Sequence, residues 1–131
     1  MPTRITPYLL YEDAAAAIDF LTRAFGFTER LRFTDDGGAV THAELELGDA
    51  EIYLGQPGPD FKSPKRLGQT TVGIHVYVAD VDAHYRQAKA AGAEITLEPA
   101  DQEYGDRRYD CRDPEGHQWY FAQRLEGATP A

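Results

Sequence analysis

Residues 72–92 read VGIHVYVADVDAHYRQAKAAG, and residues 5–26 read ITPYLLYEDAAAAIDFLTRAFG. Each stretch begins with an apolar-rich segment typical of a strand, reaches an aspartate, and continues as a helical pattern that stops at a glycine. Asp13 and Asp80 are placed to accept hydrogen bonds from the free N–H groups of a first helical turn. The repetition predicts two copies of one structural unit.

Strand-like runs separated by turn residues follow each helical pattern. The predicted elements are strand 5–11, helix 14–25 and strands 27–33, 40–47 and 50–54 in the first half, and strand 72–78, helix 81–91 and strands 94–97, 107–111 and 118–123 in the second, with a long loop at 99–105. The order in each half is therefore βαβββ.

The two halves are predicted to form one domain rather than two. Modules 3–56 and 72–123 are joined by a linker, 57–71, which is rich in proline and glycine and has no periodicity. One helix on a four-stranded sheet leaves the other face and an edge open, and pairing covers them. We expect a single α+β domain spanning 1–131, with the modules paired into a curved, barrel-like sheet and helices on its outer face.

Composition limits the classes of partner and the location of the chain. Its formal net charge is −9, which disfavours a nucleic-acid partner and favours cationic small molecules. No apolar run is long enough to span a membrane, and no secretion signal precedes the first module, so we expect a cytoplasmic protein without membrane contact.

Two chemically reactive side chains are interpreted as structural. Cys111, the only cysteine, is expected to be a small buried side chain rather than a nucleophile. His84 is expected to lie solvated on an exposed helix face.

Strand alternation separates two faces of the predicted sheets, because side chains at positions i and i+2 share a face. One face is apolar, includes Ile5 and Leu9, and should pack under the helices. The other face carries aromatic, histidine and acidic side chains: Tyr8, His42, Glu44, Glu46, Tyr53, His75, Tyr77 and Tyr120. This composition is typical of a ligand cavity, although a plain solvent-facing sheet is the alternative.

Several segments together resemble the vicinal oxygen chelate superfamily, in its glyoxalase/bleomycin-resistance-like branch. They are ITPYLLYED at 5–13, AFGF at 24–27, VADVD at 78–82, AGA at 91–93, YGDR at 104–107 and DPEG at 113–116. The resemblance covers nearly the whole chain. It implies paired βαβββ modules curled around a cavity, often at a dimer interface, so a homodimer is expected.

The resemblance also implies a divalent metal held by His, Glu or Gln side chains from four strands. The corresponding positions here fall near Thr6, near Gly73, around Tyr53 or Leu54, and on Tyr120, which cannot form such a site. We therefore expect no cofactor. A displaced divalent-metal site built from His42, Glu44 and His75 is the alternative.

Three functions stay open from the sequence, and whether the protein is an enzyme stays open with them. The first is a metal-free protein that binds and sequesters a small aromatic or cationic molecule, as bleomycin-resistance proteins do. Its ligand-binding residues would be Tyr8, Glu44, Tyr53, His75, Tyr77, Arg107 and Tyr120.

The second function is a glyoxalase- or dioxygenase-like enzyme, a lyase or isomerase, using the displaced metal site. Metal-free acid–base chemistry is the other route to an enzyme, with His75 or Glu44 as base and Tyr120 as acid. A module that serves mainly as a protein partner is a third interpretation.

Overall fold

A computed structural model describes residues 1–127 and contains two four-stranded sheets. The elements are β1 (Tyr8–Leu10), α1 (Ala14–Phe20), a π-helical turn (Leu21–Phe25), β2 (Thr28–Thr34), β3 (Val40–Leu47), β4 (Ala50–Gly55), α2 (Pro64–Leu67), β5 (Gly73–Tyr77), α3 (Val81–Ala90), β6 (Glu94–Asp101), β7 (Asp106–Arg112) and β8 (Gln118–Arg124). The predicted α+β class and the βαβββ order of each half are confirmed. Residues 128–131 of the predicted domain lie outside the described residues.

The two sheets have the same topology. Their strand orders are β1-β4-β3-β2 and β5-β8-β7-β6, with one parallel pair in each, β1 with β4 and β5 with β8. Asp13 and Asp80 cap their helices as predicted, each accepting a hydrogen bond of 3.1 Å from a backbone N–H of the first turn. None of the helices within residues 1–127 is long and apolar enough to cross a membrane.

The modules pack together through their helix-covered faces. The ring of Phe25, at the end of the first helical segment, lies 5.1 Å from Trp119 and 4.7 Å from Phe121 of β8. These side chains belong to one buried core that both modules share. Because the helix-covered faces meet there, the opposite faces of the two sheets point away from each other.

This packing corrects the predicted barrel. Every strand pairing among the described residues lies within one module, so the two sheets do not close into one curved sheet in a single chain. The physical reason lies in the apolar faces. Trp119 of β8 is fully buried and packs against Phe25 and Phe27 of the first module, so each apolar face is covered partly by the other module.

The Asp113–Gly116 turn fastens the second module to the first. Asp113 Oδ2 accepts hydrogen bonds from the Tyr11 hydroxyl at 2.6 Å and from the Trp119 indole at 3.2 Å. The Glu115 carboxylate accepts the backbone N–H groups of Glu12 and Asp13 at 2.6 and 2.9 Å. Burial, and then the charge of Asp113, raise the pKa of the Tyr11 hydroxyl, which stays a donor to that carboxylate.

Two local predictions were wrong. The first strand begins at Tyr8, so Ile5 is 96% exposed instead of packing under a helix. The predicted loop 99–105 is partly strand, because β6 is an edge strand whose register shifts between Leu97 and Ala100, and a bulge at an edge tolerates the proline between them. The linker contains the short helix α2, which Ser63 caps.

Candidate ligand-binding faces

The predicted pocket residues divide between two surfaces. We call the exposed side of the first sheet, with Tyr8, His42, Glu44 and Tyr53, the first face. We call the exposed side of the second sheet, with His75, Tyr77, Arg108, Asp110 and Tyr120, the second face. No hydrogen bond, ion pair or ring contact found among residues 1–127 joins the two faces.

A chain of hydrogen bonds crosses the first face. The Tyr8 hydroxyl lies 2.7 Å from His42 Nδ1, and His42 Nε2 lies 2.8 Å from Glu44 Oε2. Tyr53 meets Tyr8 edge to face, with ring centroids 5.8 Å apart, and lies 5.1 Å from the imidazole of His42. The face therefore combines aromatic surface with one connected polar group.

Charge on the first face is concentrated around Arg30 of β2. Its guanidinium pairs with Glu44 and lies 3.4 Å from both Glu46 and Glu51. Arg4 pairs with Glu51 as well, at 3.2 Å. Three carboxylates thus face two guanidinium groups, which leaves this surface net negative.

The second face carries an arginine and a tyrosine in place of the histidine chain. Arg108 binds Asp110 through two hydrogen bonds of 2.7 and 3.0 Å. Its guanidinium lies over the Tyr120 ring, 4.6 Å from the centroid. These bonds to Asp110 raise the pKa of Arg108, so it is a fixed positive charge.

Beside these residues, a buried carboxylate organises the end of the second sheet. Asp106 is 1% exposed; it accepts a hydrogen bond of 2.9 Å from the Tyr77 hydroxyl and lies 3.1 Å from Arg124 Nη1. The ring of His75 packs against Tyr77 with centroids 4.8 Å apart. The hydrogen bond to Asp106 raises the pKa of Tyr77, because ionising Tyr77 would place a second negative charge there.

The placement of Arg107 is a correction. Arg107 shares the parity of Tyr109 and projects to the helix side, where it binds Asp82 of α3 at 3.0 Å and Asp101 at 3.1 Å. Its neighbour Arg108 projects from the opposite side of β7 and lies on the second face. Alternation in β7 contained this signal, because the apolar Tyr109 and Cys111 both lie buried on the helix side.

The structure brings together only part of the alternative metal site. His42 and Glu44 are in contact, but His75 belongs to the second face, which points in another direction. Among residues 1–127 there is no cluster of three or more His, Cys, Asp or Glu side chains that could hold a metal ion.

The ligand positions of the metal that the resemblance implies also fail on geometry. A Cβ atom on Gly73 would lie 2.3 Å from Cε2 of Tyr120, so the tyrosine ring occupies the space that a ligating side chain would need. The residues present do not fit a divalent metal centre of the kind the resemblance implies.

A cleft of about 840 Å³ borders the second face at Gly73 and Tyr120. The linker forms its other wall, from Lys65 and the stretch 68–71. Its volume lies within the range of small-molecule sites.

His84, which sequence analysis did not place correctly, and Cys111 are both structural. His84 is not solvated: its Nε2 donates to the Phe25 carbonyl at 3.0 Å, and its Nδ1 lies 2.6 Å from the Tyr109 hydroxyl. It therefore ties α3 to the first module. Cys111 is fully buried, as predicted, and burial raises the pKa of its thiol above the ordinary range.

Comparison with known proteins places the chain in a family. The model of the Glyoxalase/Bleomycin resistance protein/Dioxygenase superfamily matches residues 4–121. An uncharacterized protein of Mycobacterium tuberculosis (strain H37Rv) is 37% identical over 124 residues, which cover 91% of this chain and 73% of that protein.

Solved structures show the same architecture. TioX from Micromonospora sp. ML1 has a TM-score of 0.77 and 35% identity, covering 95% of this chain and 100% of that one. The fosfomycin resistance protein FosX from Mesorhizobium loti has a TM-score of 0.66 at 12% identity, covering 96% of this chain and 95% of that one, and is similar in fold alone.

Proposed function

Because the chain belongs to the glyoxalase/bleomycin resistance protein/dioxygenase superfamily, we propose that it binds a small aromatic cation without a metal ion. The observation that carries the proposal is the pair of open, tyrosine-bearing faces. Tyrosines stand on both, while Gly73 and Tyr120 occupy positions where a metal site of the implied kind needs ligands.

Charge and aromatic surface favour a cationic ligand. Tyrosine rings attract cations through their negative faces, and this attraction strengthens when water is excluded. The first face adds carboxylates in excess over guanidinium groups around Arg30. The net charge of −9 extends the attraction to the whole surface.

We further propose a homodimer in which the first face of one copy lies opposite the second face of its partner. A single chain leaves large aromatic side chains open on both faces, among them Tyr8 and Phe33 on the first sheet and Tyr77 on the second, which are 46 to 61% exposed. Exposed aromatic patches of this kind mark binding surfaces. The two faces of one chain point apart, so each would lie opposite a face of the partner. A twofold dimer of this kind would enclose two equivalent cavities.

Fluorescence titration tests the ligand class with two dyes of similar size. We expect ethidium, an aromatic cation, to bind, and fluorescein, an aromatic anion, to bind at least about 10-fold more weakly, a difference of roughly 1.4 kcal/mol. EDTA should leave the ethidium affinity unchanged. Equal affinity for both dyes, or one tightly held divalent ion per chain by elemental analysis, would overturn the proposal.

Variants and sedimentation test the location of the site. Tyr8→Ala and Tyr120→Ala should each weaken ethidium binding about 10-fold, as loss of a central aromatic contact does. Leu67→Ala, on the linker helix, is the matched control and should not. Analytical ultracentrifugation should show a dimer; a monomer at the concentrations that bind dye would exclude the shared cavity.

A further inference from the structure

The hydrogen-bonded chain on the first face has the order of a proton relay. Tyr8 Oη, His42 and Glu44 are joined by contacts of 2.7 and 2.8 Å, one at each imidazole nitrogen. The first element is an open hydroxyl, the second a base, and the third a carboxylate that orients the base. This order matches the arrangement that activates hydroxyl nucleophiles elsewhere.

The contacts determine which nitrogen of His42 carries the proton. An ionised carboxylate only accepts hydrogen bonds, so His42 Nε2 donates to Glu44 Oε2. In the neutral imidazole Nδ1 is then an acceptor, and the Tyr8 hydroxyl donates to it. The tautomer therefore directs a free lone pair at the phenolic proton.

Glu44 is itself held in place. Its second carboxylate oxygen pairs with Arg30, and its side chain is only 13% exposed. A fixed carboxylate both orients the imidazole and stabilises the imidazolium that would form on proton transfer. Glu44 is a positioning residue in this arrangement.

Tyr8 lies where a ligand could reach it. Its side chain is half-exposed on the open face, and Gly55 beneath it leaves room for the ring, since a Cβ there would lie 3.2 Å from Tyr8 Cε1. Deprotonation by His42 would leave a phenolate on this half-exposed side chain of the first face.

We propose that Tyr8, His42 and Glu44 form a metal-independent proton-transfer site, with Tyr8 as the catalytic base, for a small carbonyl compound that carries hydrogen on the adjacent carbon. The Tyr8 proton moves to His42, and the phenolate then takes a proton from that carbon. The C–H electron pair becomes an enolate, and return of a proton to carbon regenerates Tyr8 and His42. The cycle isomerises or exchanges the substrate and consumes no other reactant.

The carbonyl class follows from what the relay can do alone. One base that moves one proton suffices for enolisation, and aromatic walls from Tyr8 and Tyr53 suit a conjugated or aryl-substituted ketone. The inference rests on the first face being the binding surface proposed above, but the relay itself needs no ligand and can be tested separately.

Covalent labelling tests the relay. With phenylmethanesulfonyl fluoride, an activated tyrosine forms a sulfonate ester: the S–F bond breaks, the S–O bond forms, fluoride leaves and the phenolic proton passes to His42. Peptide mass spectrometry should show Tyr8 labelled at least about 10-fold faster than N-acetyltyrosinamide in solution, in line with general-base assistance. His42→Asn, which can accept a hydrogen bond but not a proton at this pH, should remove the advantage, and Glu44→Gln should reduce it.

Melting temperature and Trp119 fluorescence confirm that each variant is folded. Labelling of Tyr8 at the rate of the free compound, or labelling unaffected by His42→Asn in a folded variant, would overturn the relay. If Tyr8 of the unsubstituted protein is not labelled faster than the free compound while ethidium still binds, the relay is refuted and the proposed function stands.

Hydrogen exchange tests the reaction. Phenylacetone, acetophenone and 1-phenyl-1,2-propanedione in D₂O should lose α-proton NMR signal faster with protein than with buffer for at least one ketone, and Tyr8→Phe should slow this about 100-fold. Exchange at the buffer rate for all three ketones would exclude the carbonyl chemistry, even where labelling supports the relay.

Discussion

In the first module Glu44 pairs with Tyr53 across the β3–β4 ladder, and in the second Asp110 pairs with Tyr120 across the β7–β8 ladder. Two residues before each carboxylate lies its hydrogen-bond partner, which is His42 in one module and Arg108 in the other. An imidazole gains and loses a proton near neutral pH, whereas a guanidinium stays charged. Equivalent positions thus give one face a group that can move a proton and the other a fixed charge.

The two modules also differ in which strand of the parallel pair carries a tyrosine and which carries the glycine beneath it. On the first face Tyr8 of β1 lies over Gly55 of β4, and on the second Tyr120 of β8 lies over Gly73 of β5. The aromatic ring is kept beside the parallel strand pair in both cases. The repeated topology therefore conserves the shape of the surface more closely than its chemistry.

The largest effect should come from the core that makes the two modules one unit. Trp119→Ala removes a fully buried ring that contacts Phe25 of the other module, and should lower the free energy of unfolding by about 3 to 5 kcal/mol. Because this variant lacks the only tryptophan, its urea unfolding is followed by tyrosine fluorescence and circular dichroism, and it should stay a single transition. Leu67→Ala, at an exposed position, should change the free energy of unfolding by less than about 0.5 kcal/mol. Two separate transitions would show that the modules fold independently.

A second difference between the modules is the buried carboxylate Asp106. Asp106→Asn keeps the shape but removes the charge that pairs with Arg124 and accepts the Tyr77 hydroxyl, and should cost about 1.5 to 3 kcal/mol in urea unfolding. Asp101→Asn is the matched control, because Asp101 is exposed and pairs with Arg107 at 3.1 Å. Asp101→Asn should lower the free energy of unfolding by less than about 1 kcal/mol. Equal losses would mean that burial of Asp106 contributes nothing.

The repeat and its alternation predicted most of the fold and the side of the sheet on which most of the candidate residues lie. Alternation assigned Tyr8, Tyr53 and Tyr120 to the correct faces because a strand side chain has only two directions to take. It could not show that the faces point apart, since that depends on how Phe25 packs against the second sheet. Packing between modules leaves no periodic signal in either module.

Other details were missed for local reasons. Ile5 lies before the β1–β4 ladder begins at Tyr8, and apolar character alone does not indicate where a partner strand ends. The Tyr8–His42 contact joins residues 34 positions apart on strands that are not neighbours in the sheet, so no spacing rule predicts it.

The two glycines offer a direct comparison of the faces. Gly73→Ala would bring a Cβ to 2.3 Å from Tyr120, whereas Gly55→Ala would approach Tyr8 and the Thr41 carbonyl to 3.2 and 3.3 Å. We expect Gly73→Ala to displace the Tyr120 ring at a cost of about 1 kcal/mol, because a half-buried ring can swing outward. Tyr120 ring signals in NMR should shift, and ethidium should bind more weakly. Unchanged Tyr120 signals would contradict the close approach.

The smallest effect should be a pH dependence from His84, a histidine without a carboxylate partner, in contrast to His42. Burial between the modules lowers the pKa of His84, with the hydrogen bond to the Phe25 carbonyl acting in the opposite direction. As pH falls through the ordinary histidine value of about 6.5, the unfolded chain gains a proton that the folded chain does not, so stability should fall and then level off below the folded pKa.

The measurement is urea unfolding between about pH 5 and 7, a window above the ordinary carboxyl pKa values. Glu12 does not interfere there, because hydrogen bonds from Ser63 lower its pKa to about 2 and its contribution is lost only in stronger acid. His84→Gln retains a donor for the Phe25 carbonyl but cannot titrate, so it should flatten the slope. A slope that persists in His84→Gln would assign the pH dependence to another group and would mean that folding does not shift the pKa of His84.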